Sequence, residues 1–185
     1  MQPDRRQFLK SSGIVLAVTV GGEILRLSPR EAQAADLPYQ VLSQEEVATL
    51  AALAEAIVPG ARDAGITQFI DKQLAADDEN CLLMLKYLGV PLNDFTGFYR
   101  SGLQSAAQLA QTRFSRPWSA LAADEAGQLL ADMNSNDKIE WQGPPAAFFF
   151  FVLRSDACDV VYGTEDGFAR IGVPYMAHIA PIKAW

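Results

Sequence analysis

Pro144-Pro145 followed by Ala146-Ala147-Phe148-Phe149-Phe150-Phe151-Val152-Leu153 constrains the fold of this chain more than any other stretch. Four consecutive phenylalanines would suit a strand as well. The proline start and the helical character of the neighbouring segments favour a helix, which proline opens readily at its first positions. Such a helix is apolar on all sides. It must therefore be covered on several faces, either by other helices of the same chain or by a partner.

The remaining segments supply helices to do so. Ser43-Gln44-Glu45-Glu46 is a capping box opening an amphipathic run with Val47, Leu50, Ala51, Ala54, Ile57 and Val58 on one stripe, stopped by Pro59-Gly60. A short helix after Thr67 would bury Phe69, Ile70 and Leu74. The acidic group Asp77-Asp78-Glu79 suits the N-terminus of a third helix, and Asn80 to Leu88 is apolar enough to predict a central element ending at Gly89. Asp94 to Phe114 reads as a long amphipathic helix with a helix-weakening Gly102 inside, broken at Arg116-Pro117. A fifth helix starts near Ala122 and turns Leu129, Leu130 and Met133 inward; Asn134 to Asp137 is a loop by composition. From Val161 onward no period survives.

The expectation is an all-α fold: a compact, irregular helical domain of about five to six helices over residues 35–160. It carries a long aromatic, Gly- and Pro-containing C-terminal arm over residues 161–185. Tyr162, Phe168, Tyr175, Met176 and Trp185 argue against disorder in that arm, and such side chains are the common anchors of protein interfaces. The arm therefore reads as a segment that packs on another protein.

Residues 1–34 read as a twin-arginine signal peptide. Arg5-Arg6-Gln7-Phe8-Leu9-Lys10 precedes a weak apolar run from Gly13 to Gly22, too short for the roughly 20 residues a bilayer crossing needs. Ala32-Gln33-Ala34 is an A-x-A cleavage sequence, with Ala35 as the first mature residue. Removing this segment takes away five basic and three acidic residues, so the formal charge of −7 becomes −9. An acidic surface of that size argues against nucleic acid and polybasic membrane binding, both of which need clustered Lys and Arg.

Machinery for catalysis is sparse. One histidine, His178, cannot build a histidine-rich metal site, and two distant cysteines cannot hold a cluster. No nucleotide-binding glycine motif and no G-x-S-x-G occurs. Asp156/Asp159 and Glu165/Asp166 are the nearest carboxylate pairs, and their loop-like spacing reads as solvated. An independent small periplasmic enzyme, with His178 working beside Asp156 or Asp159, and a binding module remain the alternative readings. Cys81 lies in an apolar run and reads as a small buried hydrophobe; Cys158 lies among polar residues. The two can pair with each other, stay reduced, or bridge to a second protein through Cys158.

Taken in order, these elements resemble the gluconate 2-dehydrogenase subunit 3 family, the small or gamma subunit of bacterial FAD-dependent, membrane-bound sugar and alcohol dehydrogenases such as those for glucose, fructose or sorbitol. The resemblance rests on the twin-arginine start, Glu55-Ala56-Ile57-Val58-Pro59, the run from Phe148 to Arg154, and Val161-Tyr162-Gly163-Thr164 with Gly172-Val173-Pro174-Tyr175-Met176. It implies a non-catalytic chain with no cofactor of its own. It also implies a large subunit of the glucose–methanol–choline type holding FAD, with or without an iron–sulfur cluster, and a multihaem cytochrome c subunit. The small subunit would supply the signal read by the twin-arginine translocase, through Arg5, Arg6, Phe8, Leu9 and Lys10, and escort the large one. It would face the periplasm at the outer side of the inner membrane. Phe148, Phe149, Arg154, Cys158, Tyr162, Phe168, Tyr175, Met176 and His178 are then the expected partner-facing residues, with a buried Arg154 paired to a carboxylate of the large subunit or, as the alternative, serving a helix C-terminus.

Overall fold

The computed structural model describes residues 16–20, 23–135 and 139–173. A β-hairpin (β1 Leu16–Val20, β2 Glu23–Leu27) leads into helices α1 Pro29–Ala34, α2 Gln44–Ile57, α3 Ile66–Leu74 and α4 Met84–Tyr87. These are followed by α5 Phe95–Phe114, α6 Ala123–Ser135, α7 Ala146–Tyr162 and α8 Glu165–Arg170. The fold is all-α apart from the hairpin, whose strands run antiparallel with Leu16 opposite Leu27 and Val20 opposite Glu23. The apolar run at the N-terminus thus contributes a strand, and Leu16 reaches the core.

The apolar helix is the axis of the molecule. α7 packs against α2, α3, α4, α5, α6 and α8. Ala146, Phe149, Val152, Leu153, Ala157, Val160 and Val161 are buried along it. Phe149 sits in an aromatic cluster, with ring centroids 5.6 Å from Phe98, 6.2 Å from Tyr99 and 6.0 Å from Trp141. Gly102 of α5 is where that ring is admitted: a Cβ there would lie 2.3 Å from Phe149 ring carbons. The glycine that weakens α5 by sequence is the contact that lets α5 and α7 approach.

The capping box of α2 forms as its spacing predicts. Ser43 Oγ accepts from the Glu46 N–H at 3.3 Å and Glu46 Oε2 accepts from the Ser43 N–H at 2.7 Å. At the other end Glu55 holds the exit turn by accepting from the amides of Gly60 and Arg62, each at 2.9 Å.

The third helix departs from expectation. Only Met84–Tyr87 is helical, and residues 77–83 form an irregular turn. Side chains take the amides that a helix would use. Asp77 Oδ1 accepts from the Asn80 N–H at 2.9 Å, Gln73 Oε1 from the Leu82 N–H at 2.6 Å, and Asp156 Oδ1 from the Met84 N–H at 2.8 Å.

The first part of the arm is also more regular than its sequence suggests. α7 continues to Tyr162, and α8 follows after two residues. Thr164 Oγ1 accepts from the Gly167 N–H at 3.0 Å and caps α8. Gly163 and Gly167 allow the close turn, since a Cβ at either would lie 2.3 Å from a carbonyl oxygen of α7. A helix of six residues is too short to display a period.

Candidate functional site

α7 leaves one narrow stripe uncovered. Phe151, Arg154 and Asp159 are exposed, and Ala147, Ser155, Cys158 and Tyr162 are half-buried. Spacings of four, three and four residues from Ala147 through Phe151 and Arg154 to Cys158 place these positions on a single helical face. The Arg154 guanidinium carbon lies 5.6 Å from the Phe150 ring centroid and 5.9 Å from that of Phe151. A cation spread over two aromatic rings makes a surface that is apolar and positively charged at once. More exposed apolar side chains, Leu82, Tyr87 and Leu88, lie on and around α4, which packs on α7. Large apolar groups gathered outside a core mark interaction surfaces.

Residues expected at the interface divide accordingly. Arg154 is exposed rather than buried, and Cys158, Tyr162, Phe148 and Phe168 are half-buried. Phe149 is a core residue of this chain, fully enclosed by the aromatic cluster, and is not available to a partner. Its place on the inward side follows from its phase, two residues before the exposed Phe151. Tyr175, Met176 and His178 lie outside the described residues, as do Arg5, Arg6, Phe8, Leu9 and Lys10.

Both thiols are free, Cys81 buried and Cys158 half-buried, so the internal bridge is not formed. Burial pushes the Cys158 thiol up, while Arg154 draws it down and Asp159 raises it. Burial likewise raises Cys81.

Asp156 is a correction to the reading of Asp156 and Asp159 as solvated loop acids. Both lie on α7. Asp156 falls on the stripe of Phe149, Leu153 and Val160, and it is enclosed completely. The buried Tyr99 hydroxyl donates to its Oδ2 and the Met84 amide to its Oδ1. Burial holds its carboxyl up at about 7, against the lowering effect of these two donors. Burial and the neighbouring Asp156 charge push the Tyr99 phenol well above its ordinary value. The arrangement ties α4, α5 and α7 together at one point. Asp159 is exposed, and its carboxyl is also raised by partial burial.

A second enclosed acid, Asp71 of α3, was not singled out by sequence. Its carboxylate accepts from the amides of Gln40 at 2.8 Å and of Val41 and Leu42 at 2.9 Å each. Lys72 lies 3.8 Å from its Oδ2. One signal was readable in principle for each acid: a charged residue falling within the buried phase of an amphipathic helix. Among the described residues no group of three or more His, Cys, Asp or Glu side chains is placed to hold a metal ion. No helix there is long and apolar enough to cross a membrane.

What fold and surface define is a small helical protein whose polar interior groups fasten its elements and whose outer features suit contact with another chain. Residues 44–177 match the family described as gluconate 2-dehydrogenase subunit 3, and the chain belongs to that family. Its class is therefore that of an accessory subunit of a dehydrogenase. No curated protein and no solved structure matches the chain.

Proposed function

We propose that this chain is the non-catalytic small subunit of a periplasm-facing, FAD-dependent sugar or alcohol dehydrogenase complex. It supplies the twin-arginine export signal and escorts and stabilises a large flavoprotein subunit. Membership of the subunit 3 family over residues 44–177 carries this reading. The twin arginines at Arg5 and Arg6 support the export role, because that route moves proteins already folded. The large subunit then folds and takes up FAD, with or without an iron–sulfur cluster, while bound to this chain. A multihaem cytochrome c subunit receives the electrons at the outer face of the inner membrane.

The partner meets the outer stripe of α7 and the arm. Phe148, Phe151, Arg154, Cys158, Tyr162 and Phe168 take part from the described residues, and Tyr175, Met176 and His178 from the segment beyond them. Phe151 offers apolar area next to a cation, the pairing from which interface hot spots are built. Cys158, on the same face, is the point for a covalent link between subunits.

Co-purification tests the proposal. A tag on this chain is expected to recover a large subunit with flavin absorbance, and dehydrogenase turnover is expected only in that complex. Turnover by the isolated chain, lost in His178→Ala, would make the protein an enzyme in its own right and overturn the reading.

A further inference from the structure

The stretch that reads as a cleavage site is built into the folded domain. Ser28 caps α1 with a full capping box: its Oγ accepts from the Glu31 N–H at 3.2 Å, and Glu31 Oε2 accepts from the Ser28 N–H at 2.8 Å. Ala32 is fully buried in the main core. The helix is seated on the start of α3. Gly65 there has φ +85°, and a Cβ on it would lie 2.3 Å from the carbonyl carbon and oxygen of Pro29. Arg30 Nε donates to the Asp63 carbonyl at 3.1 Å.

The attachment resumes at Leu37, three residues beyond the expected cut. Gln68 Nε2 donates to the Leu37 carbonyl at 2.7 Å, Lys72 Nζ to the Pro38 carbonyl at 3.1 Å, and the Tyr39 hydroxyl meets Thr67 Oγ1 at 3.0 Å. Asp71 then takes the amides of Gln40, Val41 and Leu42. α3 and the turn before it thus hold the chain on both sides of the expected cut, at Pro29 and Arg30 and again from Leu37 to Leu42, while Ala34 and Ala35 between them are exposed.

A peptidase reads its substrate as an extended strand with alternate side chains in pockets. Cutting after Ala34 requires Ala32 and Ala34 to be those side chains. Both are helical, and Ala32 is enclosed. Cleavage therefore needs local unfolding of α1 and withdrawal of Ala32 from the core. A chain exported in the folded state meets the peptidase with that site closed.

We infer that Ala32-Gln33-Ala34 is not cut in the folded chain and that Ser28 to Leu42 stays in the exported subunit as its first packed segment. The inference rests on the export reading, but the integration of α1 is tested separately from it. Intact-mass analysis of this chain in the periplasmic complex is expected to show residues 28–34 still attached. A chain beginning at Ala35 would overturn the inference. Independently of where the chain is found, hydrogen exchange on purified full-length protein reads the amides of Ala32, Ala35 and Leu37. These donate to the carbonyls of Ser28, Glu31 and Ala32. Exchange at least 10-fold slower than in a free peptide of the same sequence is expected; exchange at the peptide rate would contradict a packed α1. Failure of export would show as a cytoplasmic chain whose α1 amides remain protected.

Discussion

Asp156 carries the clearest consequence at the scale of single residues. It binds its proton in the folded state at about pH 7 and in an unfolded chain at about pH 4. Between those values the folded form holds the extra proton. The contribution of Asp156 to stability is thus full below about pH 4, falls as the pH rises to about 7, and is level above that. Denaturant titrations across this window should show the decline, and Asp156→Asn should flatten it. An unchanged slope in the variant would show that Asp156 is not the group responsible. Asp71 has a different part, accepting three backbone amides. Asp71→Ala should destabilise the fold by about 2–4 kcal/mol, because it strands donors in a partly enclosed turn. Asp71→Asn should cost less. Gly102→Ala pits two effects against each other. Helix propensity favours Ala by about 1 kcal/mol, and the clash with the Phe149 ring costs roughly 1–3 kcal/mol or more. A net loss is expected in chemical denaturation; a gain would mean that the ring yields easily.

The elements show which parts of the fold were legible. α7 was readable from Pro144-Pro145 and eight apolar residues, and its central position follows from the lack of a polar side over Ala146 to Leu153. α2 was readable from Ser43 and Glu46, whose reciprocal hydrogen bonds form as their spacing requires. α4 was not readable at its true length, because Gln73 and Asp156 take the amides of Leu82 and Met84 at its start from nine and 72 residues away. Periodicity has no access to such contacts. α8 escaped for a local reason, being a single short turn held by Thr164 and two close-fitting glycines. The site was partly legible. Its composition was in view, but the phase that turns Phe149 inward and Phe151 outward is fixed only by what surrounds α7. That phase places Cys158 on the outer stripe with Arg154. Non-reducing electrophoresis of the native complex should show a covalent heterodimer that Cys158→Ser abolishes. Separate migration of the two chains before reduction would remove the bridge from the account.

Across the whole molecule, acids sealed inside serve as fasteners, and apolar side chains remain outside where another chain can cover them. The chain belongs to a family of dehydrogenase subunits, and its N-terminus carries two arginines before a weak apolar run. In the proposed function, the signal on this subunit moves a partner that lacks one. Cell fractionation after Arg5→Lys and Arg6→Lys together tests that claim most directly. The large flavoprotein subunit and its dehydrogenase activity should then remain in the cytoplasm, with periplasmic activity reduced at least 10-fold. Periplasmic activity at the unaltered level would contradict it.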